Sequence, residues 1–61
     1  MNYVYELTYD HQWDGSNYGL FSSLEKAEEF LRGMGKRTTD PKVYNDTRIY
    51  GDYRITERRV S

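Results

Sequence analysis

The chain has 61 residues, a formal net charge of -1, no cysteine and a single histidine. That length is near the lower limit at which a chain without metal or disulfide buries enough apolar surface to offset its conformational entropy, so one domain over 1–61 of modest stability is expected. The absence of cysteine excludes a disulfide framework and thiolate metal sites, no apolar run reaches the ~18 residues of a membrane span, and the N-terminus lacks a signal peptide's basic and apolar pattern. These features predict a soluble, cytoplasmic protein with no cofactor.

Aliphatic residues are few, and the mean hydropathy of -1.04 is low. Seven tyrosines, two phenylalanines and one tryptophan must therefore supply much of the core. Charge is divided along the chain: residues 1–31 carry six acids and one base, whereas residues 32–61 carry eight bases and four acids. Such a division favours head-to-tail or symmetric self-association, a basic strand face presented to an acidic ligand, or mutual compensation within the fold.

Tyr3, Tyr5, Leu7 and Tyr9 alternate with Val4, Glu6 and Thr8, the pattern of a half-buried strand. A polar stretch containing Asp14-Gly15 predicts a hairpin turn, and a second strand runs from Asn17 to Phe21. The buried face of that second strand is ambiguous, because Tyr18 and Leu20 alternate against Phe21.

A helix follows. Ser22 is the predicted N-cap, and Glu25, three residues on, completes a capping box and meets the helix dipole. Leu24, Ala27, Phe30, Leu31 and Met34 form one apolar stripe, and Glu28 and Arg32 stand in ion-pair spacing. Gly33 and Gly35 end the helix.

Residues 35–42 form a basic loop in which Pro41 excludes a central strand. Val43 to Tyr50 reads as a strand interrupted near Asn45-Asp46, Gly51-Asp52 as a tight turn, and Tyr53 to Val60 as the last strand, with Tyr53 and Ile55 on one face and Arg54, Thr56 and Arg58 on the other. The expected fold class is α+β: a two-layer ββαββ sandwich with one helix packed on a small antiparallel sheet.

The opening strand VYELTYD, the segment GLFSSLEKAEEFL and the closing YRI strand together resemble a group of small uncharacterised bacterial and bacteriophage domains with a G-x-F-S-S-x-E-x-A strand-to-helix motif. The resemblance spans most of the chain. It implies the same architecture and a microbial or phage origin, and it brings no activity or functional residue with it.

Candidate chemistry is sparse. His11 beside Asp10 and near Asp14 is a single imidazole among loop carboxylates, short of the three or four convergent ligands of a metal site. Ser16, Ser22 and Ser23 have no base at a fixed position, and the glycines form no phosphate-cradling loop. No catalytic, cofactor-binding or metal residue is expected, and the chain is read as a non-enzyme.

Two sets of residues suggest binding. Trp13, at the first hairpin, either folds back as a lid on the small core, the reading slightly favoured, or is exposed together with Tyr18 as a compact contact anchor. Tyr50, Tyr53, Arg54 and Arg58, with Arg48 and Arg59 and the loop bases Lys36, Arg37 and Lys42, interleave aromatic and basic groups. The leading expectation is a protein-interaction module, an accessory or inhibitor protein of a phage or mobile element that binds a host protein such as a defence component and pairs as a homodimer. The alternative is nucleic-acid or nucleotide-phosphate binding through the Arg/Tyr strands, which the pI near 5.7 disfavours.

Overall fold

The protein's structure, a computed structural model, describes residues 2–9 and 17–60. The expected α+β architecture is present: one helix packs on an antiparallel sheet. In chain order the elements are β1 (Asn2–Tyr9), β2 (Asn17–Phe21), α1 (Leu24–Gly33), β3 (Lys42–Tyr44), β4 (Thr47–Tyr50) and β5 (Tyr53–Val60). Across the sheet the order is β2-β1-β5-β4-β3. The interrupted strand expected between Val43 and Tyr50 is thus a hairpin of two short strands, which raises the sheet from four strands to five.

Two tight turns set the register of the C-terminal meander. Asn45-Asp46 closes β3 on β4 with Tyr44 opposite Thr47, and Gly51-Asp52 closes β4 on β5 with Tyr50 opposite Tyr53. In each turn the first central residue has positive φ, +50° at Asn45 and +62° at Gly51, as two-residue hairpins require. Asparagine and glycine are the residues that take this conformation at least cost.

The central ladder joins the first strand to the last, with Asn2 opposite Val60 and Tyr9 opposite Tyr53. Between β1 and β2 the register shifts, since Leu7 faces Gly19 and Thr8 faces Asn17. One extra residue, Tyr18, is accommodated in this bulge. Beyond it Phe21 stands opposite Tyr5, on the side of the helix, and Leu20 stands opposite Glu6 on the other side. This settles the ambiguity of the second strand.

The helix begins one residue later than expected. Ser23, extended at φ -148° and ψ 155°, is the N-cap, and its Oγ accepts a hydrogen bond from the Lys26 N–H at 3.2 Å. Ser22 is therefore not the cap and no capping box forms, because the third helical residue is Lys26. Glu25 keeps only its electrostatic task, a carboxylate in the first turn. The other end is a Schellman closure: the Gly35 N–H donates to the Arg32 carbonyl and the Lys36 N–H to the Leu31 carbonyl, both at 2.9 Å. Gly35 has φ +81°, which glycine adopts without a Cβ clash. Glu28 and Arg32 do not pair. Glu28 accepts from Tyr50, and Arg32 donates to Thr38 Oγ1 at 3.0 Å.

The core is small and mixed, as composition demands. Leu7, Ala27, Leu31, Tyr50 and Ile55 are buried, and Tyr5, Phe21, Leu24 and Tyr53 pack around them. Phe30 and Met34, on the predicted helix stripe, sit at its margin and stay more than a third exposed. Phe30 stacks at a tilt on Phe21, with ring centroids 5.5 Å apart.

Two stability outcomes follow from these contacts. Ser23→Ala should cost about 1 kcal/mol and Ser22→Ala less than about 0.5 kcal/mol, measured by urea or thermal denaturation. Leu31→Ala should cost about 2–5 kcal/mol, enough to unfold most of a chain this small at room temperature.

Candidate interaction surface

A ten-residue helix is about 15 Å long and 10–12 Å across, whereas five strands at about 4.8 Å spacing span roughly 19 Å between the outer axes. Coverage is therefore incomplete. The helix packs over β2, β1 and β5, leaving β4 and β3 beyond it. On that side a depression of about 130 Å³ lies between Leu24 and the β3-β4 hairpin, with Val43, Arg48 and Glu57 on its walls.

Tyr50 bridges the gap. The residue is 5% exposed, and its hydroxyl donates to Glu28 Oε2 at 2.6 Å, tying β4 to the helix. Burial, the hydrogen bond to Glu28 and the Glu28 charge together raise its pKa far above the ordinary tyrosine value, while Arg48 and Arg32 partly oppose the shift. This corrects the sequence expectation, which placed Tyr50 among partner-binding residues. Its ring and hydroxyl are both consumed inside the fold.

The other sequence-predicted residues separate onto two faces. Tyr53 lies on the helix side, half-buried, with its ring centroid 5.1 Å from that of Tyr9 and the Lys36 Nζ 5.5 Å from its centroid. Arg54 and Arg58 lie on the opposite face, because successive strand residues point to opposite sides. The arginines and tyrosines thus do not form the single stacking surface that interleaving suggested. Trp13 lies outside the described residues, as does His11; Tyr18 is described only as the extra backbone residue of the bulge.

The face opposite the helix carries no covering layer among the described residues. Its rows can be read from the registers. One row contains Leu20, Glu6, Thr56, Thr47 and Tyr44; the next contains Thr8, Arg54, Ile49 and Lys42; Val4 and Arg58 form a third, and Val60 lies beyond. Arg58 Nε donates to Glu6 Oε1 at 2.6 Å across the central ladder, and the Thr47 and Thr56 hydroxyls meet at 3.3 Å. Leu20, Tyr44 and Val60 are exposed by 61%, 68% and 45%. Three bases stand against one acid here, whereas the outer surface of the helix carries exposed Glu25 and Glu29. Exposed Lys26 and Arg32 offset those two acids, so the net charge of the bare face is not mirrored by an equally charged helix surface.

The loop 35–41 contributes a second recess, of about 360 Å³, against the β4-β5 turn. Lys36 and Arg37 reach it, but so do Asp40 and Asp52, so it carries no net charge. Arg37 is held by its own loop through a 2.7 Å bond from Nε to Thr39 Oγ1. Among the described residues no group of acids or histidines is disposed to hold a metal ion, and no helix is long and apolar enough to cross a membrane.

No family model matches the chain, and neither a curated protein nor a solved structure matches it.

The Tyr50–Glu28 contact predicts a specific alkaline response. Because the folded pKa of Tyr50 is raised, the stability it contributes is fully present below the ordinary tyrosine value of about 10 and is lost as pH rises beyond it. Tyr50→Phe should cost about 1.5–3 kcal/mol at neutral pH, the worth of a hydrogen bond to a charged group. The variant should also lose stability less steeply than wild type above pH ~10, as urea denaturation at stepped pH will show.

Proposed function

We infer that this chain is a protein-interaction module, not an enzyme, and that it works by laying the bare face of its sheet on a partner protein. The observation that carries this reading is the composition of that face. Exposed Leu20, Tyr44 and Val60 supply apolar contact towards the margins of the face, with the positive charge of Lys42, Arg54 and Arg58 set among them. Tyrosine and arginine are among the residue types enriched at protein interfaces.

Charge selects the partner's character. A face with three bases and one acid fits an acidic surface bearing an apolar patch and is repelled by a basic one. The bacterial and phage domains that the chain resembles make a bacterial host protein the partner class, with the chain acting as an accessory or inhibitor that occupies its surface. Long nucleic acid fits less well, since the acidic helix lies on the same small body and the total charge is -1.

Differential capture from a bacterial lysate tests the reading. Immobilised wild type should retain a protein after nuclease treatment, Arg54→Glu should retain it at about a tenth of that level or less, and Glu29→Lys on the helix should leave retention unchanged. Equal retention by Arg54→Glu would overturn the assignment of the face. Retention that disappears with nuclease would replace the protein partner with nucleic acid.

A further inference from the structure

The two edges of the sheet differ. In an antiparallel ladder each residue directs its N–H and C=O to the same side, and hydrogen-bonded pairs alternate with non-hydrogen-bonded ones. The tight turn makes Tyr44–Thr47 a hydrogen-bonded pair, so Thr47–Thr56 is not; Thr56 then bonds to Glu6, and Glu6–Leu20 is again non-bonded. The backbone groups of Leu20 consequently face outward from β2. On the opposite edge, Val43 faces outward from β3, and the next outward position is Pro41, which has no N–H to give.

The β3 edge therefore carries recognised protections against strand addition: three residues only, a proline and the charge of Lys42. The β2 edge has neither a proline nor a charge; its guard is the bulge at Tyr18, beyond which Gly19 to Phe21 pair regularly with β1. From Gly15 to Leu24 the sequence holds no charged residue and no proline. Apolar side chains flank this edge on both layers, Leu20 on the bare face and Phe21 with the partly exposed Phe30 on the helix side.

We propose that β2 is a pairing edge for a second copy of this chain, β2 against β2 in antiparallel register about a twofold axis, making one continuous sheet. Electrostatics favours this edge for self-association. Two copies meeting through their bare faces would oppose like charges, whereas two uncharged β2 edges meet without repulsion. A twofold contact of this kind is closed, so it stops at a dimer. Phe21 and Phe30 of the two copies come together at the helix-side seam, covering aromatic surface that one copy leaves open. Apart from Leu20, which stands at the seam, the bare faces stay free in the pair and lie side by side, so either this inference or the partner reading above can fail without the other.

Sedimentation equilibrium over micromolar to millimolar protein, with amide exchange followed by NMR, tests it. Wild type should dimerise, and Leu20→Lys, which sets two charges at one seam, should raise the dissociation constant about tenfold or more. Tyr44→Lys, at the β3 edge, should leave dimerisation unchanged. Exchange of the wild-type Leu20 N–H should slow as concentration rises. A wild type that remains monomeric, a dimer indifferent to Leu20→Lys, or a Leu20 N–H whose exchange ignores concentration would each overturn the proposal.

Discussion

One short helix must shield a sheet wider than itself, and most features of this molecule are responses to that mismatch. The helix covers β2, β1 and β5, so the buried residues concentrate where its Ala27 and Leu31 meet Leu7 and Ile55. Beyond that line the sheet needs another way to stay attached. Tyr50 supplies it by combining a large buried ring with a hydroxyl that reaches back to Glu28. A phenylalanine there would fill similar space but could not hold the helix and β4 together.

The mismatch also explains where the surface is apolar. A small chain with few aliphatic residues has none to spare, yet it leaves Leu20, Val43 and Tyr44 more than half exposed. These positions lie at the two margins of the sheet, outside the shadow of the helix. Their exposure is a property of geometry as much as of sequence. The charged residues do not follow that geometry so simply: Lys42, Arg54 and Arg58 stand on the far face, whereas the helix carries both acids and bases.

Much of the scaffold was legible from residue order. Period-two alternation gave β1 and β5, and the Leu24-Ala27-Leu31 stripe gave the helix, because both patterns report which side is buried. The cap was misplaced by one residue, since Ser22 and Ser23 offer the same hydroxyl and only the path of the chain leaving β2 decides between them. Splitting residues 43–50 into two strands depended on reading Asn45-Asp46 as a turn in its own right. Tyr50 could not be assigned from pattern alone: it precedes a glycine turn in a short strand, and which side it faces depends on the pairing of β4 with β5. The Arg/Tyr set looked like one surface in sequence because adjacent residues are adjacent on paper, whereas alternation sends them to opposite faces.

The β1-β5 ladder joins residues about fifty positions apart, and this bears on how the chain folds. Two locally connected pieces precede it: β1, β2 and α1 on one side of the loop 35–41, and the β3-β4-β5 meander on the other. Neither piece contains the whole core, so their meeting is the step with the greatest loop-closure cost and the natural place for the folding barrier. Residues 1–31 are strongly acidic and residues 32–61 strongly basic. Opposite net charge on the two pieces lowers the electrostatic cost of that meeting, and the Glu6–Arg58 pair joins one to the other in the finished ladder. The charge division along the chain is therefore neutralised within a single molecule once the two pieces dock, and salt screens what attraction there is between them.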